Sequence, residues 1–248
     1  MRVALVLEYD GTRYYGSQRQ NNVPTIQEEL EKSIVKVTGE RVGTIFAGRT
    51  DQGVHAEGQV AVFETNSSLS VDKIIKAINF YLPEDIAVKE ARRVREDFNP
   101  RRDALSREYC YHIWNDLTRS PLRQRHALLV RRPLEVEIMN EACKVLKGTH
   151  DFAPFASALD GLRNTTRTVY RAGTFREGSM VTCFLEANAF LPHQMRMTVG
   201  SLVRVGLGLG DVTAFGKLLD AGKPATAGPA VPPLGLFLMK VNYPGDEI

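Results

Sequence analysis

The chain has 248 residues, of which 43% are hydrophobic and 25% charged, and a formal net charge of +3 at pH 7. That length fits one large domain or two small ones, since domains typically run about 100–200 residues, and the composition is that of an ordinary soluble globular protein. No apolar run approaches the ~18 residues needed to span a bilayer and no signal-peptide pattern opens the chain, so the expected compartment is the cytoplasm.

Cys110, Cys143 and Cys183 are odd in number, far apart and form no CxxC pair. Neither a zinc site nor a disulfide framework is supported, and all three read as small buried hydrophobes. Charge is unevenly spread: between Ala91 and Arg132 lie eleven arginines, no lysine and five acids, a local +6 against −3 for the remainder. A concentrated arginine stretch suits phosphate recognition through the bidentate guanidinium, while a solvated, salt-bridged face reads the same in sequence.

In chain order, Arg2 to Tyr9 reads as a strand closed by a turn at Asp10-Gly11. A polar, aromatic loop, Tyr14 to Gln20, follows. Thr25-Ile26-Gln27-Glu28 has the form of a capping box opening a helix with Leu30, Ile34 and Val37 on one face and a stop at Gly39. Val42 to Ala47 reads as a buried strand and Gly58 to Thr65 as an alternating one. Ser70 can cap a helix over Val71 to Phe80, and Ile86 to Arg93 reads as a strand.

A similar order then returns. Ser106 to Trp114 is expected as a strand and Leu134 to Leu146 as a helix ended by Gly148. Arg167 to Phe175 and Met180 to Ala189 are expected as strands joined across Gly178-Ser179. Helices at about Gln194–Leu207 and Val212–Ala221, a Gly/Pro/Ala-rich loop from Gly222 to Pro233, and a strand from Leu236 to Val241 complete the chain. Strand, helix, strand, strand, helix, strand resembles the split βαβ, or ferredoxin-like, unit. The expected fold class is therefore α+β: two such units related by duplicated architecture, residues 1–103 and 104–248, with antiparallel sheet, helices on one side and a central cleft. Each half could equally be a free-standing domain.

Gly48-Arg49-Thr50-Asp51-Gln52-Gly53 packs a carboxylate, a guanidinium and two glycines into the bend between two strands. Glycines there permit a tight backbone and close approach of a ligand, and loops held by a rigid scaffold concentrate functional residues. A plain hairpin whose Asp51 bonds its own turn would look the same. The segment Gly48-Arg49-Thr50-Asp51-x-Gly53-Val54-His55-Ala56 resembles the active-site signature of the tRNA pseudouridine synthase A family, whose aspartate is catalytic. Only one position of that window is left undefined.

Further segments carry the resemblance from about Val3 to Tyr243. Tyr9-Asp10-Gly11 with Tyr14-Tyr15-Gly16-x-Gln18-Arg19-Gln20 is similar to the family's opening segment, with Ser17 where an aromatic, often tryptophan, is usual. Arg107-Glu108-Tyr109-Cys110-Tyr111 places Tyr109 on the family's active-site tyrosine, which lies against the uracil ring. Alternation puts Tyr109 and Tyr111 on one strand face, Tyr111 as an ordinary core residue. In Phe190-Leu191-Pro192-His193-Gln194-Met195-Arg196, Arg196 falls on the arginine that pairs with the catalytic aspartate, while Gln194 and Met195 depart from the commonest residues. His193 is read as a structural hydrogen-bonder, and the Gly148 to Phe155 segment as structural. Leu236, in Gly235-Leu236-Phe237-Leu238, is expected to pack near the base.

What the resemblance implies is isomerisation of uridine to pseudouridine at positions 38, 39 and 40 of the tRNA anticodon stem-loop, by a homodimer. The reaction breaks the C1′–N1 bond and makes C1′–C5, so no metal or redox cofactor is needed. A carboxylate serves either by adding as a nucleophile or by removing a sugar proton, and Asp51 is the candidate for both. Burial would raise its pKa and a neighbouring arginine, Arg196, would lower it. Arg49 is the candidate to enter the stack and hold the uridine out. A non-catalytic RNA-binding protein would share paired split βαβ units but need no aspartate in the turn. A glycosidase-like hydrolase would need two carboxylates, and only Asp51 has suitable surroundings. Asp51 and His55 alone are too few ligands for a metal.

Overall fold

A computed structural model describes residues 1–157, 164–220 and 223–245. In chain order the elements are β1 (Arg2–Tyr9), α1 (Ile26–Thr38), β2 (Ile45–Phe46), β3 (His55–Glu64), α2 (Val71–Tyr81), β4 (Ile86–Val94), β5 (Ser106–Asn115) and β6 (Leu128–Val130). They continue with α3 (Val136–Val145), β7 (Gly148–Asp151), β8 (Thr166–Glu177), β9 (Met180–Ala187), α4 (Gln194–Gly206), α5 (Val212–Asp220) and β10 (Leu236–Asn242). The class is α+β. No described helix is long and apolar enough to cross a membrane.

Two compact units result. The first comprises Met1–Ser106 and Phe237–Ile248. Its strands run in the order β4-β1-β3-β10, with β2 also on β3. The pairings of β1 with β3 and β4 are antiparallel, and β10 joins β3 in parallel through Phe237 and Leu238 opposite His55 and Ala56. Helices α1 and α2 pack on each other, and α2 on β4. The local signals for α1 are those of the sequence: Thr25 Oγ1 accepts from the Glu28 N–H at 3.3 Å, and Gly39 takes the left-handed conformation that ends the helix. Ser70 does occupy the N-cap of α2, but its side chain makes no cap hydrogen bond.

Two strand expectations change. Only Ile45 and Phe46 of the Val42–Ala47 run are strand, and Ile45 is exposed. The preceding Thr44 is drawn away to α1, where its N–H and Oγ1 donate to the Glu31 carboxylate at 2.9 and 3.0 Å. Strand β3 begins at His55, three residues before Gly58, and is buried along most of its length rather than alternating. Gly58 lies inside it because β10 crosses so close that a Cβ there would sit 2.3 Å from the Met239 carbonyl oxygen.

The second unit is Arg107–Leu236, with strand order β5-β9-β8-β7 and the short β6 parallel to β5. β8 and β9 form an antiparallel hairpin through Gly178, whose φ of +59 suits the turn. Helix α3 packs on β8, α4 and α5. It starts at Val136 rather than Leu134, since the Leu134 and Glu135 N–H groups bond to Asn115 Oδ1 and to the Gly206 carbonyl. β6 and β7 are additions to the expected pattern, and the expected Ala221 and Gly222 boundary lies outside the described residues. Cys143 and Cys183 are buried against Thr174 Oγ1. Burial pushes the Cys143 thiol up to about 11 and that of Cys183 higher still. Cys110 is only half-buried. It shares the partly exposed face of β5 with His112 and Trp114, whereas Tyr111 and Ile113 point into the core.

Candidate functional site

In the first unit the turn between β2 and β3 carries Arg49 and Asp51, both exposed, around a buried Thr50. Its backbone is held at Gly48, Thr50, Gly53 and Val54. Gln59 Nε2 donates to the Gly48 carbonyl at 2.9 Å. The Thr50 N–H donates to Ser17 Oγ at 2.8 Å, and the Thr50 carbonyl accepts from the Ser17 N–H at 3.0 Å. Thr50 Oγ1 meets the Tyr9 hydroxyl at 2.9 Å. The Gly53 N–H, at φ +75, donates to the Tyr14 carbonyl, and the Val54 N–H returns to the Asp51 carbonyl. An exposed carboxylate on so constrained a turn can act as a nucleophile or a general base without moving its backbone.

The segment that opens the chain is thus the floor of this turn. Gly16, at φ +96, approaches so closely that a Cβ would lie 2.7 Å from the Thr50 carbonyl oxygen, and only glycine tolerates both the angle and the contact. His55 is buried, its Nδ1 accepting from the Gly11 N–H at 3.1 Å and its ring stacked 4.6 Å from Phe237. Burial raises the Tyr9 phenol to about 12, against the help of bonds from Thr50 and Gln59, so it stays protonated at physiological pH.

In the second unit, Tyr109 lies on β5, half-buried, with its ring edge-on to Phe190 at 4.8 Å between centroids. Tyr111 is fully buried and donates to the Pro232 carbonyl at 2.7 Å. Arg196 stands in the first turn of α4, where its Nε donates to the Val231 carbonyl at 2.8 Å while its own carbonyl accepts from the Val231 N–H. Burial raises the Tyr111 phenol strongly and the positive charge of Arg196 opposes it, so these side chains share one electrostatic environment. Leu236, buried, follows Gly235, which fits against the Tyr111 ring. The segment 231–235 is thus tied to Arg196 through Val231 and to Tyr111 through Pro232 and Gly235, with Leu236 next in the chain.

The departures at Gln194 and Met195 have local outlets. Gln194 Oε1 accepts from the Leu191 N–H at 2.8 Å and closes the turn into α4, and Met195 is buried. His193 adopts φ +61 at the N-cap position of α4 and meets Ser157 Oγ through Nδ1. Phe152 and Phe155 are fully buried and structural.

Of the residues the sequence singles out, Asp51 and Arg49 share one turn of the first unit, while Tyr109, Arg196 and Leu236 lie in the second, Arg196 in the electrostatic environment of Tyr111. Thr50 and Tyr9, although inside the motifs, and Gln59 are given no role by the sequence. Gln59 is fully buried within an apolar strand. A lone amide inside an apolar run was the signal available, because buried polar groups need partners.

A sequence model described as tRNA pseudouridine synthase matches residues 5–101 and 142–244. The chain is 45% identical over 250 residues to the tRNA pseudouridine synthase A of Roseiflexus castenholzii, covering 98% of this chain and 91% of that one. It is 38% identical over 246 residues to that of Syntrophomonas wolfei, covering 99% of each, and 40% identical over 241 residues to that of a Thermoanaerobacter species, covering 97% and 99%.

Proposed function

The chain belongs to the tRNA pseudouridine synthase A family and is an isomerase, and from that premise we propose that Asp51 is the carboxylate that turns uridine into pseudouridine in the anticodon stem-loop, at positions 38, 39 and 40. The observation that carries the reading is the turn itself. Asp51 is exposed while the residue before it is buried and bonded on its N–H, its carbonyl and its hydroxyl. Such a carboxylate is presented to a ligand with little freedom to wander, which is what a reacting group needs.

The uracil detaches from C1′ at N1, turns and rejoins through C5; the proton on C5 then leaves and N1 takes one up, so the product is an isomer of the substrate. Either covalent addition of the carboxylate or removal of a sugar proton starts that sequence. Arg49, exposed two residues from Asp51, is the side chain to occupy the space vacated by a flipped uridine. The family resemblance supports Tyr109 as the residue that lies against the base, Leu236 as its apolar neighbour and Arg196 as the arginine that pairs with the carboxylate. Work as a homodimer in the cytoplasm follows from the family resemblance. The test is incubation of the purified protein with an unmodified tRNA transcript, followed by mapping of pseudouridine. Product at 38, 39 or 40 is expected, and product only elsewhere, or none, would reject the assignment.

A further inference from the structure

Ser17, in the loop between β1 and α1, is completely buried. Its N–H donates to the Thr50 carbonyl at 3.0 Å, and its Oγ accepts from the Thr50 N–H at 2.8 Å. Two opposed bonds to one residue hold the peptides on both sides of Thr50, including the one that leads into Asp51. The clamp is itself anchored, because the Ser17 carbonyl accepts from the Gln27 N–H in the first turn of α1 at 3.0 Å.

We propose that Ser17 is a positioning residue for the reaction, acting through Thr50 to hold the Asp51 carboxylate in place; this rests on Asp51 being the reacting carboxylate. Removing the hydroxyl leaves the Thr50 N–H without its acceptor in a buried site. The backbone there relaxes toward another partner and carries Asp51 with it. Rate depends steeply on such placement, a misplacement of about 1 Å costing on the order of 100-fold. Affinity for tRNA, spread over many backbone contacts, depends on it little.

The experiment compares wild type, Ser17→Ala and Asp51→Asn on an unmodified tRNA transcript. Ser17→Ala should lower kcat about tenfold and leave KM within about twofold, the split expected when geometry and not binding is lost. Hydrogen exchange should quicken in the peptide containing Thr50 while the core of β1 and β3 keeps its protection. Unchanged kcat would overturn the proposal. So would a loss of protection across the whole first unit with kcat and KM changing together, since Ser17 would then be merely structural. Should Ser17→Ala fail to fold, Ser17→Cys, which keeps an atom at the γ position but is a poor acceptor, is read in the same way; failure of both to fold also overturns it. Asp51→Asn separates the two levels. If that variant still turns over, the catalytic reading itself is lost, whereas a dead Asp51→Asn beside a fully active Ser17→Ala rejects the clamp alone.

Discussion

The Tyr9 hydroxyl lies 2.9 Å from Thr50 Oγ1, joining the last residue of β1 to the residue before Asp51 across forty-one positions of sequence. Both groups are buried, and Gln59 Nε2 stands 3.5 Å from the same hydroxyl while holding Gly48. The end of a central strand is thereby tied directly to the turn that presents the carboxylate.

Tyr9→Phe removes that tie but keeps the ring. At neutral pH it should cost about 1 kcal/mol, the usual net worth of one hydrogen bond, read from a urea midpoint. At high pH the variant should gain on wild type. The Tyr9 phenol titrates at about 12 when folded, whereas in the unfolded chain it ionises near its ordinary 10. Its contribution is intact below pH 10 and is lost as pH rises toward 12, because the unfolded chain sheds its proton first. The fall is about 2–3 kcal/mol in wild type and absent for this residue in Tyr9→Phe. Tyr14 and Tyr111, also raised by burial, steepen the alkaline limb of both proteins equally. Parallel stability curves from about pH 9 to pH 12 would show that Tyr9 does not titrate in this way.

Asp51→Asn is nearly isosteric and removes only the charge. Asp51 is exposed, so folding should be unaffected, with a melting temperature within about 1–2 °C of wild type. Pseudouridine formation should fall below detection while tRNA binding persists. Measurable turnover by the purified variant would remove Asp51 from the chemistry.

Tyr109→Phe should preserve the edge-on contact with Phe190 and hence binding. Tyr109→Ala removes a face on which a base can stack, worth about 1–3 kcal/mol, and should weaken tRNA binding by about tenfold or more. Equal turnover by wild type and both variants would return Tyr109 to a packing role.

Within the arginine-rich stretch, some charges are already spent: Arg95 pairs with Asp97 at 3.0 Å and Asp103 at 2.6 Å, and Arg102 with Asp103 at 2.9 Å. Arg123 is exposed and lies over the Trp114 ring at 5.1 Å, and Arg101 is exposed as well. Arg123→Ala or Arg101→Ala should lower affinity for every tRNA similarly and reduce the log–log salt slope by about one unit, since each phosphate contact adds about 0.7–0.9. The modified uridine should stay the same, because phosphate contacts position the RNA without reading bases. Unchanged slopes in salt titrations of both variants would reject a basic track here.

What the sequence determined alone is what short-range physics decides. Thr25, Glu28 and Gly39 mark both ends of α1, Gly178 and Ser179 turn β8 into β9, and the residues from Gly48 to Ala56 carry the family resemblance, because caps, turns and motifs are written in neighbouring residues. Tertiary structure decided the rest. Thr44 leaves the expected strand for Glu31 of α1, and β10 lies along β3 only because Gly58 lets two backbones meet. Ser17, in sequence only a departure from the family's usual aromatic, becomes the partner of Thr50 thirty-three residues away. Each of these depends on which backbone groups lose water together when the chain compacts, and no local pattern encodes that pairing.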